Sequence, residues 1–152
     1  MKIYNIKEKK EYIKEVAELT QKEWGSEVNS KKEFEAKVNR KIEKILSYLE
    51  DKSYCKLILL EDDILIGFIS IFPHDGDERE DLSPWYATMF VKDEYRGKRY
   101  SKMLNDAILE EAKKRGFKKL YLKTELQNYY EKFGAKYMET LKNGEKLYYI
   151  EL

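Results

Sequence analysis

The chain has 152 residues, enough to bury a core without disulfides or a structural metal, and its apolar residues (42%, against 39% charged) fall in periodic runs that exclude a disordered polymer. Lys and Arg number 30 against 29 Asp and Glu, a formal charge of +1, so no global field recruits nucleic acid or an anionic membrane. No stretch approaches the ~18 apolar residues of a membrane span, and Met1–Ile6 lacks the apolar centre of a signal peptide. The single cysteine, Cys55, lies in an apolar run with no partner in the chain, which fits a buried thiol in a reducing compartment. A cytoplasmic protein with one domain spanning 1–152 is expected.

Lys2–Ile6 alternates polar and apolar residues and predicts a first strand. Ile13, Val16, Ala17 and Thr20, continuing to Trp24, recur at helical steps, and Gly25 supplies a stop. Ser30 with Glu33 has capping-box spacing and opens a second helix whose apolar face is Phe34, Val38, Ile42, Ile45, Leu46 and Leu49. The runs Leu57–Leu60 and Ile64–Ile69, separated by Glu61-Asp62-Asp63, predict a hairpin buried on both faces. Pro73 ends its second strand. A polar loop from His74 to Ser83 precedes a fourth strand, Trp85–Val91. Ser101–Arg115 reads as an amphipathic helix closed by Gly116, Leu120–Thr124 as a fifth strand, and Asn128–Phe133 as a short helix ended by Gly134. Two last strands, Lys136–Leu141 and Lys146–Leu152, flank a turn at Asn143-Gly144.

The chemistry-bearing segment runs from Met89 to Leu104 and joins a buried strand to a helix. Unpaired amides at the helix start, the positive end of the helix dipole and nearby cations make a site for phosphate oxygens. The segment resembles the acetyl-CoA motif of the GNAT acetyltransferase superfamily, Arg/Gln-x-x-Gly-x-Gly/Ala after a strand ending in an apolar-x-Val pattern, with Arg96 on its first position. Leu82-Ser83-Pro84-Trp85 is similar to the Leu-Thr-Pro-Trp opening of this strand in part of the family. Asn128-Tyr129-Tyr130-Glu131-Lys132-Phe133-Gly134-Ala135 resembles its second motif, Phe-Tyr-Glu-Lys-Leu-Gly-Phe. The chain departs at Arg99 and Ser101, which stand where glycines are usual. Arg99 is harmless to the backbone if it keeps a right-handed conformation, and its guanidinium then reaches a CoA phosphate.

The resemblance implies a mixed α/β fold, with a mostly antiparallel sheet flanked by helices and splayed between the fourth and fifth strands. It implies acetyl-CoA as co-substrate, held by Met89, Phe90 and Val91 along the pantetheine arm and by Arg96, Gly97, Lys98, Arg99, Tyr100, Ser101 and Asn128. It implies a direct transfer to a primary amine, on a small molecule or a peptide, in which Tyr130 protonates the departing thiolate. Attack requires a neutral amine, so a base must take its proton. The acidic loop supplies Asp81 as the favoured base because it lies closest to the strand, with Glu78, Glu80 and His74 as alternatives. Trp24, Phe34 and Tyr86 are either acceptor-pocket walls or core residues. No residue spacing suggests a metal, and neither nucleic acid nor membrane is expected as a partner; the chain is expected as a monomer or homodimer. A GNAT-like domain that binds CoA without transferring acetyl groups is the alternative.

Overall fold

The fold is that of a computed structural model, which describes every residue except Asp77. Seven strands form one sheet: β1 (Lys2–Asn5), β2 (Cys55–Glu61), β3 (Ile64–Phe72), β4 (Trp85–Val91), β5 (Lys119–Thr124), β6 (Lys136–Thr140) and β7 (Lys146–Glu151), ordered β1-β2-β3-β4-β5-β7-β6. All neighbours are antiparallel except β4 and β5. The expected mixed, mostly antiparallel sheet is therefore present. The hairpin between β2 and β3 turns at Asp62 and Asp63, both in the left-handed region that aspartate tolerates (φ 48° and 67°).

Helices cover both faces of the sheet. Helix α3 (Tyr100–Lys114) lays Leu104, Ile108 and Ala112 on one face, against Leu57, Leu59, Ile69, Ile71, Leu120 and Leu122. It stops where Gly116 takes φ 87°, with Gly116 N–H donating to Lys113 and Phe117 N–H to Ala112, and Lys113 and Lys114 in its last turn face the negative end of its dipole. Helices α1 (Ile13–Trp24) and α2 (Lys31–Tyr48) cover the other face, where Ile13, Val16 and Ile45 meet Ile58, Leu60, Leu65 and Phe68. The alternation along β2 and β3 thus feeds two cores at once, as the doubly apolar runs require. None of these helices is long and apolar enough to cross a membrane.

Three local expectations are modified. Ser30 caps α2 by accepting from Glu33 N–H at 3.1 Å, but the Glu33 carboxylate reaches past Ser30 to Asn29 N–H at 2.9 Å. Leu46, assigned to the apolar face of α2, is exposed, while Ile42, Ile45 and Leu49 make the contact with the core. The helix expected over Asn128–Phe133 is a 3-10 turn of four residues, Tyr130–Phe133, pinched between left-handed Asn128 (φ 58°) and Gly134 (φ 89°).

The β3–β4 ladder is irregular where it matters. Phe68 faces Phe90 and Ser70 faces Ala87, so Ile69 opposes two residues, Thr88 and Met89. Thr88 absorbs this bulge at φ 52°. Beside it, β3 passes so close to β4 that a Cβ on Gly67 would lie 2.4 Å from Phe90 O and 3.2 Å from Val91 Cα. Glycine is required there for contact.

Candidate active site

Strands β4 and β5 share a single register pair, Trp85 with Tyr121, next to the bond from Tyr121 N–H to Pro84 O at 3.1 Å. Beyond it the two strands part. Trp85 pins the closed end: its ring is fully buried, its indole N–H donates to Leu82 O at 2.9 Å, and Leu141 and Leu147 pack around it. At the open end a cleft of about 300 Å³ is lined by Met89, Phe90 and Val91 on one side, by Tyr95–Gly97 and Arg99–Ser101 at its head, and by Tyr129 and Glu23. Most of the residues expected to hold CoA are therefore brought together by the strand divergence.

The head of the cleft is the start of α3. Its first turn is bonded by Met103 N–H to Arg99 O, so the amides of Tyr100, Ser101 and Lys102 lead the helix, and no side chain caps them. Gly97 (φ 80°) and Arg99 (φ 65°, ψ 20°) are both left-handed, a backbone turn of the kind that gathers successive amides into an anion-binding concavity. Arg99 does not keep the right-handed conformation that would spare it strain: the chain must reverse between the 3-10 turn Asp93–Tyr95 and α3, and Arg99 takes the strained position. Glycine is favoured at this position for conformation as well as for access. Arg96 is tied down, its Nε donating to Val91 O at 3.0 Å and its guanidinium paired with Asp93 at 3.0 Å, which anchors the end of β4 to the turn. Lys98 is exposed and does not line the cleft. Asn128 is likewise exposed, spending its backbone N–H on Glu131 at 3.2 Å. Its neighbour Tyr129, which the motif reading passed over, faces the cleft instead.

Tyr130 is half-buried, edge-on to Tyr86 (centroids 6.0 Å apart) and Tyr129 (4.8 Å). Burial, then Tyr129, push its phenol above the ordinary value of 10.0, which keeps it protonated at neutral pH. Tyr86 belongs to the core: it is buried and donates its hydroxyl to Asn105 Oδ1 at 2.8 Å. Phe34 lies in a separate groove between α1 and α2, lined also by Lys14 and Glu18. Trp24 is 48% exposed beside this first cleft, its ring edge-on to Phe68 and Phe90 at 6.4 and 6.2 Å.

A second cleft, of about 240 Å³, opens on the same strand. It is lined by Ala87 and Thr88, which precede Met89 directly, with Thr20, Lys41, Lys44 and Ile45 from the helices, Lys56 and Phe72 from the sheet, and His74–Gly76 from the loop. Asp81, the expected base, is not among these residues. Arg79 holds its carboxylate at 2.9 and 3.0 Å, keeps its pKa below the ordinary carboxylate value, and also pairs with Glu139, drawing this end of the loop toward β6. A carboxylate so engaged is a poor proton acceptor. Asp75 takes its place in the cleft. Burial pushes its carboxyl up, opposed by Lys123, whose ammonium donates to Asp75 O at 2.5 Å. Proximity in sequence to β4 favours Asp81, whereas in the fold Asp75 is the carboxylate that lines this cleft.

The matched family model is the acetyltransferase (GNAT) family, over residues 13–135. Comparison with curated proteins gives no sequence match. Among solved structures, the PaiA N-acetyltransferase of Thermoplasma acidophilum in complex with coenzyme A is 23% identical, covers 100% of both chains and superposes with TM-score 0.68. An aminoglycoside 6′-N-acetyltransferase complexed with coenzyme A is 17% identical over 99% of this chain and 97% of its own, TM-score 0.72. The aminoglycoside 6′-N-acetyltransferase from Enterococcus faecium is 16% identical over 99% and 97%, TM-score 0.71. With the splayed parallel strands and the helix start at their open end, the family match over most of its length shows that this chain belongs to the GNAT acetyltransferase family.

Proposed function

We propose that the protein moves an acetyl group from acetyl-CoA to a primary amine by direct transfer, with both substrates bound at once. The observation that carries this reading is the seam between β4 and β5, which opens beyond the Trp85–Tyr121 pair and runs into the uncapped start of α3. The leading amides of α3 and the Arg99 guanidinium hold the pyrophosphate; both favour an anion there, through the helix dipole and through charge-assisted hydrogen bonds. Backbone groups of Met89 and the Val91 N–H, left without a β5 partner by the divergence, bond the pantetheine arm, while Val91 O is held by Arg96. A β4 N–H beside the bulge polarises the thioester carbonyl, a contribution that needs no side chain.

The second cleft receives the amine. Asp75 takes its proton, aided by a carboxyl whose affinity for protons burial has raised. The amine nitrogen bonds to the acetyl carbon as the carbon–sulfur bond breaks, and Tyr130 gives its phenol proton to the leaving thiolate. Support for this division of labour is that Thr88 and Met89, consecutive in β4, line the acceptor cleft and the CoA cleft respectively.

Isothermal calorimetry with acetyl-CoA, followed by release of free thiol when a panel of amines is added, tests the reading. Saturable binding and amine-dependent thiol release are expected. Binding without thiol release for any amine would make the protein a CoA-binding module, and absence of binding at millimolar acetyl-CoA would end the acetyl-transfer reading.

A further inference from the structure

The floor of the acceptor cleft holds a buried amine that its own fold leaves undersupplied. Lys56 is 2% exposed, and its ammonium donates one hydrogen bond, to Ser70 Oγ at 2.5 Å. Ser70 is itself fully buried and accepts a second bond from Thr88 Oγ1 at 2.9 Å, which connects Lys56 to the bulge of β4. An ammonium has three donors, so the remaining capacity of Lys56 meets only the rings of Phe68 (5.1 Å) and Phe72 (5.5 Å). Lys44 lies over the same Phe72 ring at 5.6 Å, and Lys41 follows one helical turn earlier on α2. Among the described residues, none of these three lysines forms an ion pair, as holds for most lysines of the chain; Lys56 differs from the rest in being buried. Among the described residues, three lysines and a single carboxylate, Asp75, line this cleft, a local excess of positive charge in a chain with nearly equal numbers of acidic and basic residues.

Burying a cation without a counter-ion is costly unless something supplies the anion. Consistent with that cost, burial lowers the Lys56 pKa to about 7, and burial with the neighbouring Lys44 lowers that of Lys41. We propose that the amine acceptor carries an anionic group, a carboxylate or a phosphate, that seats against Lys41, Lys44 and Lys56, with its amine directed along β4 toward Met89. Asp75, the carboxylate of this cleft, then faces the amine end of the acceptor. The proposal rests on the acetyl-transfer reading and adds the class of acceptor. A polycation such as an aminoglycoside is disfavoured, because it brings positive charge to three lysines.

Matched acceptors test it: α-amino acids against their amides, phosphoethanolamine against ethanolamine, and kanamycin and spermidine as polycations, each with acetyl-CoA and thiol release as the readout. Amide pairs are a stringent comparison, since the amide's less basic amine is more available for attack. A carboxylate or phosphate acceptor should exceed its neutral partner in kcat/KM by at least about tenfold, the factor expected of one charge-assisted contact. Which pair shows the preference separates carboxylate from phosphate. Lys44→Glu, at an exposed position of α2, should remove that preference or reverse it. Neutral or polycationic acceptors preferred by the native protein, a preference unmoved in Lys44→Glu, or no anionic amine turned over while neutral ones are, would each overturn the proposal. Failure of the native protein to bind acetyl-CoA would instead remove the reading beneath it.

Discussion

Arg99 sets two effects against each other, and a pair of substitutions separates them. Its φ of 65° and ψ of 20° place an L-residue with a long side chain in the left-handed region, which costs roughly 1–2 kcal/mol. Glycine relieves that cost but loses roughly 0.5–1 kcal/mol more backbone freedom on folding. Arg99→Gly should therefore stabilise the free protein by about 0.5 kcal/mol, or about 1–2 °C in Tm for a chain of this length. Arg99→Ala keeps the strain and loses no capping bond, because the arginine side chain makes none, so its Tm should stay near the native value. Both variants lose the guanidinium. At so exposed a position the charge-assisted contact to a phosphate falls at the low end of its range, about tenfold in affinity for acetyl-CoA, and the loss should shrink as salt screens it. Thermal melts of the free proteins and calorimetry at two salt concentrations read both effects. Equal Tm values for the glycine and alanine variants would refute the strain argument. Tighter binding in Arg99→Gly would mean that the side chain obstructs the site rather than holding the ligand.

Tyr130→Phe keeps the ring against Tyr86 and deletes only the hydroxyl, so turnover should fall by ~10²–10⁴ with little change in acetyl-CoA affinity. Tyr129→Phe should cost much less, and the opposite order would transfer the acid role to the ring that lines the cleft. Lys56→Met tests the buried amine through stability. With a folded pKa of about 7 against the ordinary 10.5, the unfolded chain binds more protons between those values, so native stability should rise with pH across that window and carry the full penalty below pH 7. Denaturant melts should show Lys56→Met more stable at pH 6 by an amount on the order of a few kcal/mol, with the gain shrinking toward pH 10; a difference independent of pH would contradict a buried charge. Gly67→Ala should destabilise by about 1–3 kcal/mol, since the new methyl meets backbone of β4 rather than a side chain that can move aside. It should also weaken acetyl-CoA binding by displacing Phe90 and Val91, and a variant with native stability and affinity would show that β4 yields freely.

The sequence by itself determined the elements and the chemistry of the CoA segment, because these depend on neighbours along the chain. The apolar runs Leu57–Leu60 and Ile64–Ile69 become strands with helices on both faces, and the spacing of Leu104, Ile108 and Ala112 against Gly116 defines the helix that follows Arg96–Arg99. Tertiary structure decided which of these residues meet. Nothing local marks Trp85 and Tyr121 as the last pair before the strands part, since the divergence arises from packing between segments 36 positions apart. The loop from His74 to Ser83 shows the same limit. Closeness to β4 along the chain favours Asp81 among five carboxylates, yet Asp81 is held by Arg79, itself paired with Glu139 60 residues away, and Asp75 is the carboxylate that lines the cleft. Lys56 was hidden for a related reason: a lysine at one end of an apolar strand reads as a surface residue until α2 and the bulge of β4 close over it. Backbone conformation at Arg99 was no more legible, because the left-handed turn is imposed by where the end of β4 and the start of α3 must both lie, each fixed against the sheet by its own core contacts.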